Sequence, residues 1–247
     1  LLLFAWLLNT PPGLLGKADA IGYAVCHRID IRSFHLGTRT LPLCARCSGM
    51  YLGAMLALLF QARLGRQSGM PPVRVWLPLL GLAAAFGVDG LNSYLSLFPG
   101  FPSLYQPHNV LRLLTGSGMG LAVGVMLYPA FHSSVWRTFD PQPALGSGRE
   151  LLILLLLTLG LDLIVLGENP VVLYPLALVS AAGVLVLLTT VYSLAWLMLW
   201  RRENRAERWG DLRWAFVAGF GLALLQIAGL DLVRFVLTGS WDGFHIG

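Results

Sequence analysis

The chain has 247 residues, 56% of them hydrophobic and only 12% charged, with a mean hydropathy of +0.71. Soluble domains carry about 25% charged residues, so the composition excludes an ordinary soluble fold and points to a polytopic membrane protein. The net charge of +5 is no nucleic-acid signal, because the basic residues sit in connectors between apolar runs. The expected surroundings are a lipid bilayer, with no nucleic-acid partner.

The apolar runs are continuous and too long for the alternating strands of an outer-membrane barrel. The predicted fold is all-α, a transmembrane helical bundle of about seven spans. The first span, Leu1–Leu8, is too short to cross a bilayer and is expected to be incomplete. A long connector, Asn9–Leu43, follows. Spans are then predicted over Cys44–Ala62, Val75–Leu95 (ended by Phe98-Pro99-Gly100), Val110–Phe131, Glu150–Leu166, Val171–Trp200 and Leu212–Leu237. The sixth is long enough to tilt, or to kink near Pro175. Residues 1–247 read as a single membrane domain. His132–Gly148 reads as a polar connector, with His132 and His245 as idle loop histidines.

Gly49 and Gly53, and Gly116, Gly120 and Gly124, recur every four residues and should let helices approach closely. Trp136, Trp200, Trp209 and Trp214 fit an interfacial belt. Connectors on one side hold Arg63, Arg66, Arg74, Arg137, Arg149, Arg201, Arg202, Arg205, Arg208 and Arg213; the other side holds Lys17, Arg28, Arg32, Arg39 and Arg46. Ten against five places the Arg-rich side in the cytoplasm of a cell membrane protein and the Asn9–Leu43 connector outside.

That connector carries the chemistry. All three cysteines, Cys26, Cys44 and Cys47, lie in or beside it, with His27 and His35. A helix can begin near Pro42. Its first turn would put both sulfurs of the Cys-x-x-Cys on one face, where the helix N-terminus and Arg46 favour thiolate. A Cys-x-x-Cys with a distant Cys-His pair makes a plausible tetrahedral ligand set for a metal, with His27 and His35 competing for the fourth place. The same residues also allow a stapling disulfide, a working dithiol, or three unconnected buried thiols.

A second feature is the tripeptide Gly-apolar-Asp, late in three spans at Asp89, Asp162 and Asp231. All three carboxylates are expected at similar depth, facing the cysteine side. Arg112 is the expected partner of Asp89, and Arg234 of Asp231. With Asn92, Tyr105, His108 and Asn109 they outline a candidate outward-facing polar cavity that could hold a cofactor; the alternative is packing ion pairs.

The run Cys26-His27, Arg32-Ser33, then Pro42-Leu43-Cys44-x-Arg46-Cys47-x-Gly49-x-Tyr51-x-Gly53 resembles a family of bacterial and archaeal membrane proteins, the domain of unknown function 2085. A second block, Asp89-Gly90 and Asn109-x-x-Arg112-x-x-Thr115-Gly116, is similar too. The resemblance covers residues 20–125 and leaves 126–247 as additional transmembrane helices. Arg28 stands where the family often has Gln. The resemblance implies that Cys26, His27, Cys44 and Cys47 belong together, and favours His27 over His35. It implies no activity.

Three functions are expected. The first is a zinc site on Cys26, His27, Cys44 and Cys47, zinc following from ligand softness, with an iron–sulfur centre as the alternative. The second, by analogy, is a membrane thiol oxidoreductase coupled to a quinone. The third is a non-catalytic accessory role with partner membrane subunits. No P-loop, dinucleotide fingerprint, HExxH, serine elbow or CxxCH appears.

Overall fold

The structure, a computed structural model, describes residues 1–98 and 103–242. Pro99, Gly100 and His245 lie outside the described residues. The chain is an all-α bundle. Its helices are α1 (Leu2–Asn9), α2 (Gly13–Val25), α3 (Ala45–Ala62), α4 (Val73–Leu95), α5 (Asn109–Val135), α6 (Gly148–Leu166), α7 (Pro170–Leu199) and α8 (Arg213–Thr238). Two short antiparallel strands, β1 (His35–Leu36) and β2 (Arg39–Thr40), form a hairpin in the cysteine connector. Two more, β3 (Gln67–Gly69) and β4 (Asp140–Pro143), pair in parallel at the opposite end.

Helices α3 to α8 follow the predicted spans closely. Four segments are long and apolar enough to cross a membrane: α4, α5, α7 and Trp209–Thr238, which contains α8. Helices α3 and α6 have 18 and 19 residues, about 27–29 Å at 1.5 Å per residue. Arg46 lies in the first, and Arg149, Glu150 and Asp162 lie in the second. Helix α1 has only eight residues, so these lengths do not establish the expected total of seven spans.

The termini are built by local chemistry. Ser147 and Glu150 form a capping box that starts α6. Asn169 caps α7, whose first residue is Pro170. Pro175 lies within the continuous α7.

The structure corrects three expectations. The Asn9–Leu43 connector is not a plain loop, because α2 occupies thirteen of its residues. His132 is not an idle loop residue. It is buried in the last turn of α5, where its Nδ1 accepts a 2.8 Å hydrogen bond from Trp136 Nε1. Trp136 is fully buried and so does not join an interfacial belt, whereas Trp200, Trp209 and Trp214 are exposed.

Glycine sets the two approaches that place the site. On α3, a Cβ at Gly49 or Gly53 would overlap Leu113 or Ser117 of α5. On α5, a Cβ at Gly116, Gly120 or Gly124 would overlap Arg46, Met50 or Ala54 of α3. The two glycine faces interlock, backbone on backbone, as small-residue repeats permit. Gly22 of α2 likewise lies against the Pro42 carbonyl, which docks the end of α2 on the start of α3.

Candidate functional site

Cys26 directly follows α2 in extended conformation, its N–H closing the helix on the Gly22 carbonyl at 2.8 Å. Cys44 is the extended residue that begins α3, and Cys47 lies in the first turn. Because Gly22 seats α2 on Pro42, the sulfurs of Cys26, Cys44 and Cys47 lie within 4.8 Å of one another. The Cys44 N–H donates to Cys26 Sγ at 3.3 Å. Cys26 and Cys44 are buried and Cys47 is half-buried, all three as free thiols. Cys26 and Cys44 share an apolar cluster with Ile21, Leu43, Val184 and Ile227, against which Cys47 and, one turn later, Tyr51 pack. The thiols of Cys44 and Cys47 donate toward Cys26 and hold its pKa well below the usual thiol value, against the opposing effect of burial.

Among the described residues this sulfur trio is the one group of three or more His, Cys, Asp or Glu side chains close enough to share an ion. His27 stands outside it. Its Nδ1 accepts a 3.1 Å hydrogen bond from the Ile29 N–H. In the neutral ring the proton then sits on Nε2, so neither nitrogen offers a lone pair as placed. Burial pushes the His27 pKa down, opposed by Cys26 and assisted by the charges of Arg32, Arg46 and Arg112. His35 is also outside the trio, with Nε2 3.1 Å from Asp30 Oδ1.

Asp89 is buried and fully engaged. It pairs with Arg46, not with Arg112 as expected. It also accepts from Tyr105 Oη at 2.8 Å and Thr115 Oγ1 at 3.2 Å. The reason is the glycine contact: Gly116 brings α5 against the Arg46 backbone, and the Arg46 side chain passes toward α4. Arg112 instead donates to Asn109 Oδ1 at 2.8 Å. Asn92 holds the backbone of Leu104 and Tyr105 through its amide.

Asp162 accepts from Ser117 Oγ at 2.6 Å, and Asp231 from Trp6 Nε1 at 3.0 Å. The Arg234 guanidinium donates to the carbonyls of Tyr23 and Cys26, at 2.6 and 2.7 Å, and of His27, at 3.3 Å. The three carboxylates are thus held by three different sets of partners. A cavity of about 470 Å³ at this end is lined by Asp30, His35, His108, Asn109 and Glu168, among others. It takes in His108 and Asn109 of the expected set, but not Asp89, Asn92, Arg112, Asp162 or Asp231.

Sequence reasoning missed two participants, Ser93 and Trp6, and the main role of a third, Arg234. Ser93 binds two arginines: its carbonyl accepts from Arg32 Nη2 at 3.2 Å and its hydroxyl from Arg46 Nη2 at 2.9 Å. Its signal was the spacing Asp89–Ser93, one helical turn. Trp6 closes on Asp231 from a distant helix, which no local pattern announces. Arg234 clamps the backbone on which Cys26 sits, equally without a local sign.

These features define a multi-spanning helical membrane protein with a sulfur cluster at one end of its bundle. The family described as "Predicted membrane protein (DUF2085)" matches residues 26–126, and the chain belongs to that family. An uncharacterised protein of Methanothermobacter thermautotrophicus is 33% identical over 106 residues, 40% of this chain and 82% of that protein. One of Methanocaldococcus jannaschii is 25% identical over 120 residues, 49% of this chain and 72% of that protein. No solved structure matches.

Proposed function

We propose that Cys26, Cys44 and Cys47 hold one zinc ion as thiolates and clasp the end of α2 to the start of α3 over a membrane-embedded bundle. The mutual approach of the three sulfurs is the observation that carries this reading. Zinc–sulfur bonds of about 2.3 Å in a tetrahedron put sulfurs about 3.8 Å apart, within reach by small side-chain rotations. The Cys44 N–H on Cys26 Sγ favours thiolate, the form that binds metal. His27 is a neighbour of the ion on this reading, not a required ligand. The site faces the cell exterior, a placement supported by the ten cationic residues in the connectors of the other end.

Metal analysis of the purified full chain tests the reading. One zinc per chain is expected, retained in His27→Ala and lost in Cys44→Ser and Cys47→Ser. Zinc-free protein with two sulfurs trapped as a disulfide would overturn it, in favour of a stapling disulfide or, if that bond exchanges with a quinone, of the thiol oxidoreductase. Iron with labile sulfide would replace zinc by an iron–sulfur centre.

A further inference from the structure

Three arginines surround the polar end of α4. Arg32, on the 3-10 turn Asp30–Arg32, and Arg112, in the first turn of α5, are 8% and 6% exposed. The Arg46 side chain is 16% exposed. Arg32 and Arg46 meet on Ser93. Arg112 lies one turn before Thr115, which shares Asp89 with Arg46. All three guanidinium charges act on His27, and those of Arg32 and Arg46 act on Arg112. Asn109 ties the third arginine to this pair, accepting from Arg112 at 2.8 Å and donating to the Ile31 carbonyl, beside Arg32, at 3.3 Å.

Their acceptors do not balance their charge. Among the described residues Asp89 is the one carboxylate that accepts from the group, and only through Arg46. Arg32 and Arg112 find neutral oxygens, the Ser93 carbonyl and the Asn109 amide. Three guanidinium groups less one carboxylate leave a formal +2. Among the described residues, the Nε of Arg32, Arg46 and Arg112 is in each case buried without an acceptor. Exposing the excess to solvent is closed off by burial, and burying it alone costs several kcal/mol per charge. The sulfur trio offsets part of it: three thiolates on a divalent ion carry −1, which still leaves an excess of +1. The N-termini of α3 and α5 lie at this same end, and their dipoles add positive potential.

We propose that Arg32, Arg46 and Arg112 form a binding site for a phosphoryl group at the cysteine end of the bundle. Planar guanidinium groups pair bidentately with phosphate oxygens, and a phosphoryl group, mono- or dianionic, answers the excess of +1 with the metal bound or +2 without it. Asp89 and Ser93 then act as positioning residues that hold Arg46 and Arg32 in place. The site stands whether or not zinc occupies the sulfur trio. Its phosphoryl group comes either from a lipid headgroup or from a free phosphate.

The experiment uses the purified full chain in neutral detergent, or in nanodiscs of phosphatidylcholine. Inorganic phosphate and dioleoyl phosphatidic acid are each titrated at constant ionic strength, with binding followed by calorimetry and native mass spectrometry. One phosphate-bearing molecule per chain is expected. Arg32→Gln and Arg112→Gln should each weaken it roughly tenfold, the loss of about one charge-assisted hydrogen bond. Arg137→Gln, at the opposite end, should leave it unchanged. Binding of phosphatidic acid without inorganic phosphate would assign a lipid headgroup, and the reverse a soluble phosphate; either supports the site. Folded wild-type protein that binds neither probe overturns it, as does binding that Arg137→Gln weakens as much as Arg112→Gln does. The wild-type measurement decides even if the site variants fail to fold.

Discussion

The two ends of the bundle use cations in opposite ways. At the end that carries β3 and β4, arginines lie on the surface. Arg63 stacks over Phe60 at 3.6 Å and Arg66 over Trp136 at 3.8 Å. Arg137 meets Glu207 at 2.8 Å with both side chains more than 60% exposed. At the cysteine end Arg39 is exposed, but Arg28 on Asp19, Arg32 on Ser93 and Arg112 on Asn109 are buried in polar contacts, and Arg46 on Asp89 is nearly so. Solvated cations inform about sidedness, because topology responds to charge left in the connectors. Buried cations inform about chemistry, because each needs a specific partner. A simple count mixes the two. Of the five cations counted for the cysteine end, Arg28 and Arg32 are buried and Arg46 nearly so, which strengthens the asymmetry of solvent-facing charge beyond ten against five.

Breaking a buried pair should have the largest effect. Asp89→Ala strands Arg46 and removes the acceptor of Tyr105 and Thr115, so it should cost about 3–5 kcal/mol. Reversible unfolding in mixed micelles measures this, and a loss below about 1 kcal/mol would show that water already solvates the pair. A steric test comes next. Gly116→Ala drives a Cβ into the Arg46 carbonyl and should cost about 1–3 kcal/mol. Gly87→Ala on α4 meets open space and should be neutral or stabilise by up to about 1 kcal/mol from helix propensity. Equal effects of the two glycine variants in the same assay would contradict the interlocked α3–α5 contact. The smallest effect belongs to the exposed end: Glu207→Ala should change stability by about 0–1 kcal/mol. A larger change there would erase the contrast between the ends.

Helices α3 to α8 were legible because long apolar runs broken by Pro, Gly and charge are unambiguous in a membrane sequence. Helix α2 was not. It has thirteen residues, includes Lys17 and Asp19, and contains Gly16 and Gly22, so its composition resembles a connector. Its glycines serve close approach to Pro11 and Pro42, which only tertiary structure reveals. The spacing of Cys44 and Cys47 put two sulfurs on one helical face, while the joining of Cys26 to them was implied by the family resemblance and is seen in the structure. The state of His27 was not, since it depends on the Ile29 N–H. Asp89 was recognised as a paired intramembrane acid, but the partner was misassigned. Depth along the spans pointed to Arg112, whereas the packing of Gly116 on α3 selects Arg46. His132 was misplaced because the predicted span stopped at Phe131, whereas the helix continues to Val135.

The Arg234 clamp also carries a consequence for biogenesis. The carbonyl of Cys26 is held by a side chain 208 positions later, and Trp6 waits 225 positions for Asp231. At about 5–20 residues per second of synthesis, Cys26 leaves the ribosome roughly ten to forty seconds ahead of the group that fastens it. During that interval the thiols are reachable by oxidants and by metal carriers. Until α8 is made, the Cys26 carbonyl lacks this clamp.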